Sequence, residues 1–441
     1  MTKLTPKLSK LVLFPAIRIM KFALLLACFG ASATLAQTRA YVTNTNDNTV
    51  SVIDAVTHSV ITTVPVGLRP NGVAVTPNGR FVYVVNQQSS TVSVISAATN
   101  TVVATVPVGG FPSTIAMNPN GGFAYVTSSS SANISVIDTA TNTVVTAIPI
   151  RSPFMLAIAP SGNLLYVTHG ALVNGVTVIN TTTNSVVTNI PVPVDVTEAA
   201  AVTPNGAFLY VTSLSFATGP KLAVIDTASN TVVAFVPLPA NFSPGVAITP
   251  DGAFAYVANN GGGVCSCGGG GSVPSSVSVI DTATNTEVAN LFGGLSPFGV
   301  AVTPDGAFVY VIDLFDNTVK VLSTATNSPV AIVPVGAFPQ SIAIGTFEPE
   351  PPEIDPIESL IDQVEALTAG GALTQDQRAG LMDKIHEVSA KLDAGQTAAA
   401  CNQLSSFINQ VNGFISSGTL TSTQGEPLLD TANALKIKLG C

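Results

Sequence analysis

The sequence predicts an all-β seven-bladed β-propeller followed by a small all-α helical domain, and three observations support this fold class. A Tyr-Val pair recurs seven times, at intervals of 41 to 54 residues. Each copy consists of short runs rich in Val, Ile and Thr, which favour pleated strands. After residue 347 the apolar pattern changes to helical spacing. The pairs begin at Tyr41, Tyr83, Tyr125, Tyr166, Tyr210, Tyr256 and Tyr310.

Each repeat contains four strand-like runs joined by turns. In the second repeat the runs read NGVAVTP, FVYVVN, TVSVIS and TVVATVPV. Repeats of about 40 to 45 residues with four short strands are typical of propeller blades. Turns of the type TPNG, residues 76–79, follow the first strand, and turns of the type TATN, residues 139–142, follow the third. Pro, Asn and Gly suit such turns because they supply fixed or positive φ angles.

The segment between the second and third strands varies from NTNDNT in the first repeat to a long Gly-rich insertion in the sixth. Alternate connections of an up-and-down blade emerge on opposite faces. The variable loops should therefore share one face with the PVGxxP links to the innermost strands. Binding residues commonly lie on such loops of a rigid scaffold, so we expect a ligand or partner site on this face.

The first repeat, at Tyr41, has no innermost strand before it, whereas the last repeat is followed by the additional strand FPQSIAIGT, residues 338–346. We expect this strand to pair with the first blade and to close the ring with segments from both ends of the domain. Closure removes exposed sheet edges. The prediction is a propeller of four-stranded antiparallel blades over residues 37–347.

The motifs YVTN (41–44), SVID, TATNTVV, VPVG and TPDG resemble the YVTN-type seven-bladed β-propeller repeat of secreted bacterial and archaeal proteins. The resemblance covers about residues 40–347. It implies the propeller architecture, and relatives in the wider superfamily include surface proteins, quinoprotein dehydrogenases and lactonases. A shared fold does not by itself carry function across such a set.

The chain after residue 347 divides into a linker and a helical domain. Residues 348–356 are rich in Pro and Glu and predict a stiff, solvated linker. Residues 357–441 predict four helices, with Thr374 and Gln377 at capping-box spacing. The segment LDAGQTAAACNQLSSFINQVN, 392–412, resembles the FIMAH-type helical domain of secreted bacterial proteins, which implies an accessory or interaction role.

The first 36 residues predict a secretory signal peptide. From Met20 they read MKFALLLACFGASATLA, a basic start followed by a short apolar run and small residues. We therefore expect export to the periplasm, the cell surface or the medium, with lipid anchoring at Cys28 as an alternative. No later segment approaches the roughly 20 apolar residues of a membrane span.

The charge balance disfavours nucleic acid as a partner. The formal net charge is -9 and becomes -14 without residues 1–36, which carry five basic and no acidic side chains. A nucleic-acid site needs clustered Lys and Arg, and residues 37–347 contain only six basic residues. The expected partner is another protein or a cell-surface component.

Candidate ligand-binding residues lie where the chain enters the innermost strands at the funnel mouth, the usual place for a propeller site, and His169 ends the second strand of its blade on the same variable face. Arg and acidic side chains there, with several Phe, could bind a small anionic or mixed ligand, or they could be solvated rim charges. The candidates are Arg69, Asn71, Arg151, Asp195, Glu198, His169 and Gln340.

The cysteines and the few histidines restrict the chemistry further. Exported proteins form disulfides, and Cys401 could join the third tail helix to Cys441. Cys265 and Cys267, in CSC, predict a loop-tightening disulfide, with a redox or soft-metal clip as the alternative. The three His have no metal-ligand spacing, so we predict no metal site. A calcium site from Asp47, Asp313 and Asp316 is an open alternative.

No catalytic group of residues and no cofactor motif is recognisable in the sequence. The seven Tyr all occupy blade positions, and there is no Trp. The sequence therefore favours a secreted, non-catalytic binding scaffold without a cofactor. The alternative is a propeller enzyme of the lactonase or quinoprotein-dehydrogenase type that acts on a small molecule at the funnel mouth.

Overall fold

The computed structural model describes residues 36–170, 175–215, 219–239, 242–261, 274–292, 294, 296–347 and 355–441. The predicted signal peptide, the lipid-anchor alternative at Cys28, the CSC pair of Cys265 and Cys267, and most of the predicted linker lie outside these residues. Those features stay predictions.

The described residues before position 348 form seven four-stranded antiparallel sheets, which confirms the predicted fold class. The first blade contains β1 (Gln37–Asn44), β2 (Thr49–Asp54) and β3 (Ser59–Pro65). The second contains β4 (Pro70–Val75), β5 (Phe81–Asn86), β6 (Thr91–Ser96) and β7 (Thr101–Pro107), and the third β8 (Pro112–Met117), β9 (Phe123–Ser128), β10 (Asn133–Asp138) and β11 (Thr143–Pro149). The fourth contains β12 (Pro153–Ile158), β13 (Leu164–His169), β14 (Val176–Asn180) and β15 (Ser185–Ile190).

The remaining three blades repeat the pattern. The fifth contains β16 (Val196–Val202), β17 (Phe208–Ser215), β18 (Gly219–Asp226) and β19 (Thr231–Pro237), and the sixth β20 (Phe242–Ile248), β21 (Phe254–Asn260), β22 (Ser276–Asp281) and β23 (Thr286–Phe292). The seventh contains β24 (Pro297–Val302), β25 (Phe308–Asp313), β26 (Thr318–Ser323) and β27 (Ser328–Pro334). The last strand, β28 (Pro339–Phe347), is the innermost strand of the first blade.

The middle strands of each blade are buried on both sides, whereas the outermost strand is largely exposed. In the second blade, β5 and β6 are almost completely buried, but β7 has its first five residues exposed or half-buried. Neighbouring blades cover both surfaces of the middle strands, so these strands consist of nearly continuous apolar residues. The propeller core therefore lies between the blades.

The seven tyrosines of the Tyr-Val pairs are the largest side chains of this core, and each is at most 1% exposed. Four of their hydroxyls bond to a residue in the turn before the outermost strand of the next blade. Tyr83, Tyr210 and Tyr256 donate to the Oδ1 atoms of Asn142, Asn285 and Asn327, at 2.7 to 2.9 Å. These bonds join consecutive blades.

The ring closes as predicted, because β28 pairs antiparallel with β1. Tyr41 lies opposite Ala343, Val42 lies opposite Ile342, and Gln37 lies opposite Phe347. The first blade therefore combines one strand from the end of the propeller with three strands from its start.

The helical unit contains four helices: α1 (Pro356–Ala369), α2 (Gln375–Asp393), α3 (Thr397–Ser416) and α4 (Ser422–Leu439). They bury one core that includes Leu360, Leu381, Phe407 and Leu428. The predicted capping box is confirmed, since Thr374 and Gln377 bond to each other's backbone N–H groups. A disulfide joins Cys401 of α3 to Cys441, with the two Cα atoms 5.9 Å apart. None of the described helices is long and apolar enough to cross a membrane.

Candidate functional site

The innermost strands of all seven blades surround a cavity of ≈ 320 Å³ in the propeller channel. Residues near the start of each strand line it, among them Asn71 of β4 and Gln340 of β28. The start of β4 pairs with the end of β5, where Asn86 precedes Gln87 of the variable loop, and Gln87 also lines the cavity. The cavity therefore lies at the end of the channel that faces the variable loops, as the funnel-mouth prediction required.

The cavity wall is polar on one side and apolar on the other. Blades 1 to 3 form a polar arc, whose members are Asn71, Gln87, Ser113, Thr114, Gln340 and Ser341. Blades 4 to 7 form an apolar arc, whose members are Phe154, Met155, Ala199, Phe242, Pro244 and Phe298. Each arc is continuous because its blades are consecutive around the ring.

The apolar arc is built around three phenylalanines. Phe154 is 38% exposed, and Phe242 and Phe298 are half-buried. The rings of Phe242 and Phe298 lie with their centroids 6.3 Å apart and their planes tilted by 46°. Exposed aromatic surface inside a cavity favours the binding of apolar groups, because contact with a ligand removes that surface from water.

Glu198 immediately precedes the lining residue Ala199 on the apolar side, is only 3% exposed, and does not itself line the cavity. Its Oε2 atom accepts a hydrogen bond of 3.2 Å from the Ser243 N–H of the next blade, between the wall residues Phe242 and Pro244. Its main-chain oxygen accepts a 2.6 Å bond from Thr168 Oγ1 of the preceding blade. The next blade thus holds the carboxyl, and the preceding blade holds the backbone of Glu198.

The surroundings of Glu198 change its acidity. Burial raises the pKa of its carboxyl to about 7, while the Ser243 N–H bond opposes the rise. Removal from water disfavours the charged carboxylate, and a single hydrogen bond offsets only part of that effect. Glu198 can therefore both accept and release a proton near neutral pH.

The structure brings only some of the other predicted residues into the cavity wall. Asn71 and Gln340 line it, whereas Arg69 and Arg151 are exposed and lie outside it. Arg69 adopts a left-handed conformation with φ 54°, and its N–H donates to Asn48 Oδ1 at 2.8 Å. Asp195 is half-buried and also lies outside the wall.

His169 holds a structural position rather than a place in the cavity wall. It is 2% exposed, and its two ring nitrogens contact the Arg151 carbonyl at 3.0 Å and Thr177 Oγ1 at 2.7 Å. Burial lowers the pKa of His169, and its bond to the Arg151 carbonyl opposes this. Both ring nitrogens are thus occupied, one by the link before β12 and the other by β14.

Sequence reasoning missed several residues of the polar arc: Gln87, Thr114 and Ser341. Thr114 and Ser341 each follow a residue at the entry position, so a wider window along the innermost strand would have included them. Gln87 comes from a variable loop, and only the pairing of β4 with β5 places it beside Asn71.

Two of the three aspartates considered for calcium, Asp47 and Asp313, accept hydrogen bonds from backbone N–H groups. Asp313 Oδ1 accepts from the Ser296 N–H at 3.2 Å, and Asp47 Oδ2 accepts from the Ala337 N–H at 2.7 Å. Within the described part of the chain, no group of three or more His, Cys, Asp or Glu is placed to hold a metal ion.

Comparison with known proteins gives a partial family match. Residues 32–148, about a quarter of the chain, match the family model described as lactonase, 7-bladed β-propeller. A segment of 66 residues is 38% identical to the uncharacterized protein YwhL of Bacillus subtilis strain 168. That segment is 15% of this chain and 14% of YwhL, so this chain spans only a small part of the curated relative.

Three solved structures share the fold. Hydrazine synthase of Kuenenia stuttgartiensis is 26% identical with a TM-score of 0.58, over 65% of this chain and 92% of that chain. The dihydro-heme d1 dehydrogenase NirN is 15% identical with a TM-score of 0.52, over 69% and 74% of the two chains. A functionally unknown protein of Desulfotomaculum acetoxidans DSM 771 is 17% identical with a TM-score of 0.59, over 70% and 99%.

These findings correct one prediction from the sequence. The expectation that the chain is not an enzyme is wrong: it is contradicted by the match of residues 32–148 to the lactonase family model. The sequence search looked for clusters of His and for spare Tyr. The structure instead buries the Glu198 carboxyl between two blades, a feature that leaves no local pattern in the chain.

Proposed function

We propose that this chain is a hydrolase that opens the ring of a small lactone in the channel cavity, with Glu198 as the acid-base group. The single observation that carries the proposal is the buried Glu198 carboxyl, with a pKa of about 7, which directly precedes the lining residue Ala199 and accepts a bond from the N–H between the lining residues Phe242 and Pro244. A general base is most effective when its pKa lies near the working pH. The lactonase family match supplies the class of substrate.

The two sides of the wall suit different parts of this reaction. A side-chain amide of the polar arc, on Asn71 or Gln340, donates a hydrogen bond to the carbonyl oxygen of the lactone. This bond stabilises the negative charge that develops on the oxygen during attack. The carbonyl carbon then faces the apolar arc, and Glu198 lies next to the arc residue Ala199 in the chain.

Glu198 moves one proton in each direction. Its carboxylate takes a proton from a water molecule while the water oxygen bonds to the carbonyl carbon. The ring carbon–oxygen bond then breaks, and the protonated Glu198 returns the proton to the departing alkoxide. The product is the open-chain hydroxy acid, and Glu198 regains its starting state. Because Glu198 is only 3% exposed, bulk water does not solvate and stabilise the charged form of its carboxyl.

Replacing Glu198 by Gln tests the proposal. E198Q keeps the size of the side chain but cannot accept a proton, and we expect kcat/KM for lactone hydrolysis to fall about 10²- to 10⁴-fold. The matched control is D195N, which changes a half-buried acid three positions before Glu198 in the chain and should keep wild-type activity. An E198Q protein with wild-type kcat/KM would contradict the proposal.

The pH dependence gives a second test of the same residue. Only the carboxylate form accepts a proton, so the enzymatic kcat/KM should rise with pH and level off above about pH 7. The uncatalysed reaction with hydroxide is subtracted at each pH. A rate that is flat through this range would show that another group acts as the base.

No specific contact favours the quinoprotein-dehydrogenase alternative over lactone hydrolysis. The match to the lactonase model lies in residues 32–148, which include most of the blades of the polar arc. The proposed reaction needs only side chains of this chain, namely Glu198 and an amide of Asn71 or Gln340.

A further inference from the structure

The chemistry of the cavity wall restricts the substrate more closely than the family match does. A lactone ring can be unsubstituted, can have an uncharged apolar substituent, or can have a charged phosphate or carboxylate group. These classes need different binding groups. The two arcs of the wall, considered together, distinguish between them.

The polar arc offers hydrogen bonds but no charge. Its side chains are the amides of Asn71, Gln87 and Gln340 and the hydroxyls of three Ser and Thr. Each amide can donate and accept, as the carbonyl and ring oxygens of an ester require. Among the described residues that line the cavity there is no Lys, Arg or His.

An anionic substituent would therefore lose its water without gaining a cation. Burial of an unpaired charge is strongly unfavourable, and phosphate or carboxylate sites normally supply Arg or Lys. The two arginines expected at the mouth, Arg69 and Arg151, are exposed outside the wall. The Glu198 carboxylate, bonded to the N–H between the lining residues Phe242 and Pro244, would also repel an anion.

The apolar arc provides surface for a hydrocarbon group. Phe154 is 38% exposed, and Phe242 and Phe298 contribute a pair of tilted rings at 6.3 Å. A cavity of ≈ 320 Å³ is at the small end of the usual range for small-molecule sites. It suits one ring with a short substituent better than an oligosaccharide or a long acyl chain.

We infer that the substrate is an uncharged lactone with a short apolar substituent. The lactone ring lies against the polar arc, and the substituent lies against Phe154, Phe242 and Phe298. This inference rests on the proposed lactone hydrolysis for its reaction, but the arrangement of the wall alone determines the class of ligand.

Binding of three lactones to E198Q tests the inference separately from catalysis. The probes share one five-membered ring: γ-butyrolactone without a substituent, γ-nonalactone with a pentyl group, and 5-oxotetrahydrofuran-2-carboxylate with a carboxylate. Isothermal titration calorimetry should give a Kd for γ-nonalactone at least about tenfold lower than for either other probe, because only its substituent buries methylene groups.

A matched pair of phenylalanine variants locates the substituent. F154A removes an exposed ring of the wall, and we expect it to weaken γ-nonalactone about tenfold while γ-butyrolactone changes less than about twofold. F111A removes a ring that is 51% exposed but lies outside the wall, and it should change neither Kd. Both rings are partly solvated, so neither truncation opens a void in the core.

The outcomes separate the two proposals. Tightest binding of the carboxylate, equal binding of all three probes, no binding of any, or an unchanged F154A would overturn the inference. Binding as expected without hydrolysis by the wild type would leave the ligand class standing and overturn the proposed function. Hydrolysis of the carboxylated lactone alone would support the proposed function and overturn the inferred class of ligand. If E198Q does not fold, the KM values of the wild type for the three probes give the same comparison.

Discussion

Tyr310 contacts a histidine where the corresponding tyrosines of other blades contact asparagine. The asparagines at positions 142, 285 and 327 combine an acceptor for the tyrosine hydroxyl with a left-handed backbone, φ 53° to 54°. Asn adopts that conformation more readily than most residues. At the seam between the last and first blades, His58 takes the same conformation at φ 50°, and its Nδ1 lies 2.8 Å from the Tyr310 hydroxyl.

His58 makes the seam sensitive to pH. Partial burial lowers the pKa of His58 below its ordinary value of 6.5, although the Asp54 carboxylate opposes this. Neutral His58 can accept a hydrogen bond from the Tyr310 hydroxyl at its Nδ1 atom, whereas protonated His58 cannot. Because the pKa in the folded state is the lower one, the stabilisation is complete above about pH 6.5 and is lost as the pH falls through the folded-state pKa.

Replacing His58 by Asn should remove this dependence. H58N keeps an acceptor and suits the backbone, so the fall in Tm between about pH 8 and about pH 5 should be smaller than in the wild type. H386N, in the helical unit, is the control and should follow the wild type. An H58N protein whose Tm falls as much as that of the wild type would show that other groups carry the acid sensitivity.

The contribution of Glu198 was only half predictable. The repeat pattern placed it at the funnel mouth, because it enters an innermost strand as Asn71 and Gln340 do. Its bond to the Ser243 N–H joins residues 45 positions apart on different blades. Burial between the blades raises the pKa of the Glu198 carboxyl, and no local sequence pattern records that burial.

Turns with the same sequence pattern meet different surroundings in different blades. Gly79 and Gly121 each end the turn after an innermost strand, with φ of 69° and 76°. A Cβ atom on Gly79 would overlap with the carbonyl oxygen of Thr346 in β28, whereas one on Gly121 would lie 3.5 Å from Pro77 Cδ. The same substitution therefore tests backbone strain alone in one blade, and strain plus contact with the closing strand in the other.

We expect G121A to destabilise the propeller by about 1–2 kcal/mol, the usual effect of a side chain in the left-handed region. G79A should cost about 1–3 kcal/mol more, because β28 must shift. Urea unfolding of both variants and the wild type measures the difference. Equal values for the two variants would mean that β28 adapts without strain.

The disulfide of the helical unit constrains its unfolded chain. Cys401 and Cys441 are separated by 40 positions, and a loop of this length corresponds to about 4 kcal/mol in the chain-entropy treatment. The double variant C401S/C441S should lower the unfolding free energy of the helices by roughly this amount. Helical circular dichroism during denaturation reports it, with reduced wild type as the parallel sample. An unchanged midpoint would show that helix packing alone sets the stability.

The architecture of the molecule was more predictable than its cavity. Blade number, ring closure and the helical unit followed from counting repeats and from the change of period, which are properties of short segments. The cavity wall combines residues such as Asn71 and Gln340 that are far apart in the chain and meet only because the ring closes. For that reason the repeat pattern predicted Asn71 and Gln340 individually but not the wall that they form together.

The pairing of Gln37 with Phe347 places the two ends of the propeller side by side at one end of the β1–β28 pair. A pulling force between the segment before Gln37 and the segment after Phe347 would act across the hydrogen bonds between β1 and β28 at that end. Such bonds open one after another instead of sharing the load. Under mechanical tension the β1–β28 pair of the first blade should therefore separate first, one hydrogen bond at a time from the Gln37 end, while the sheets of the other six blades remain intact.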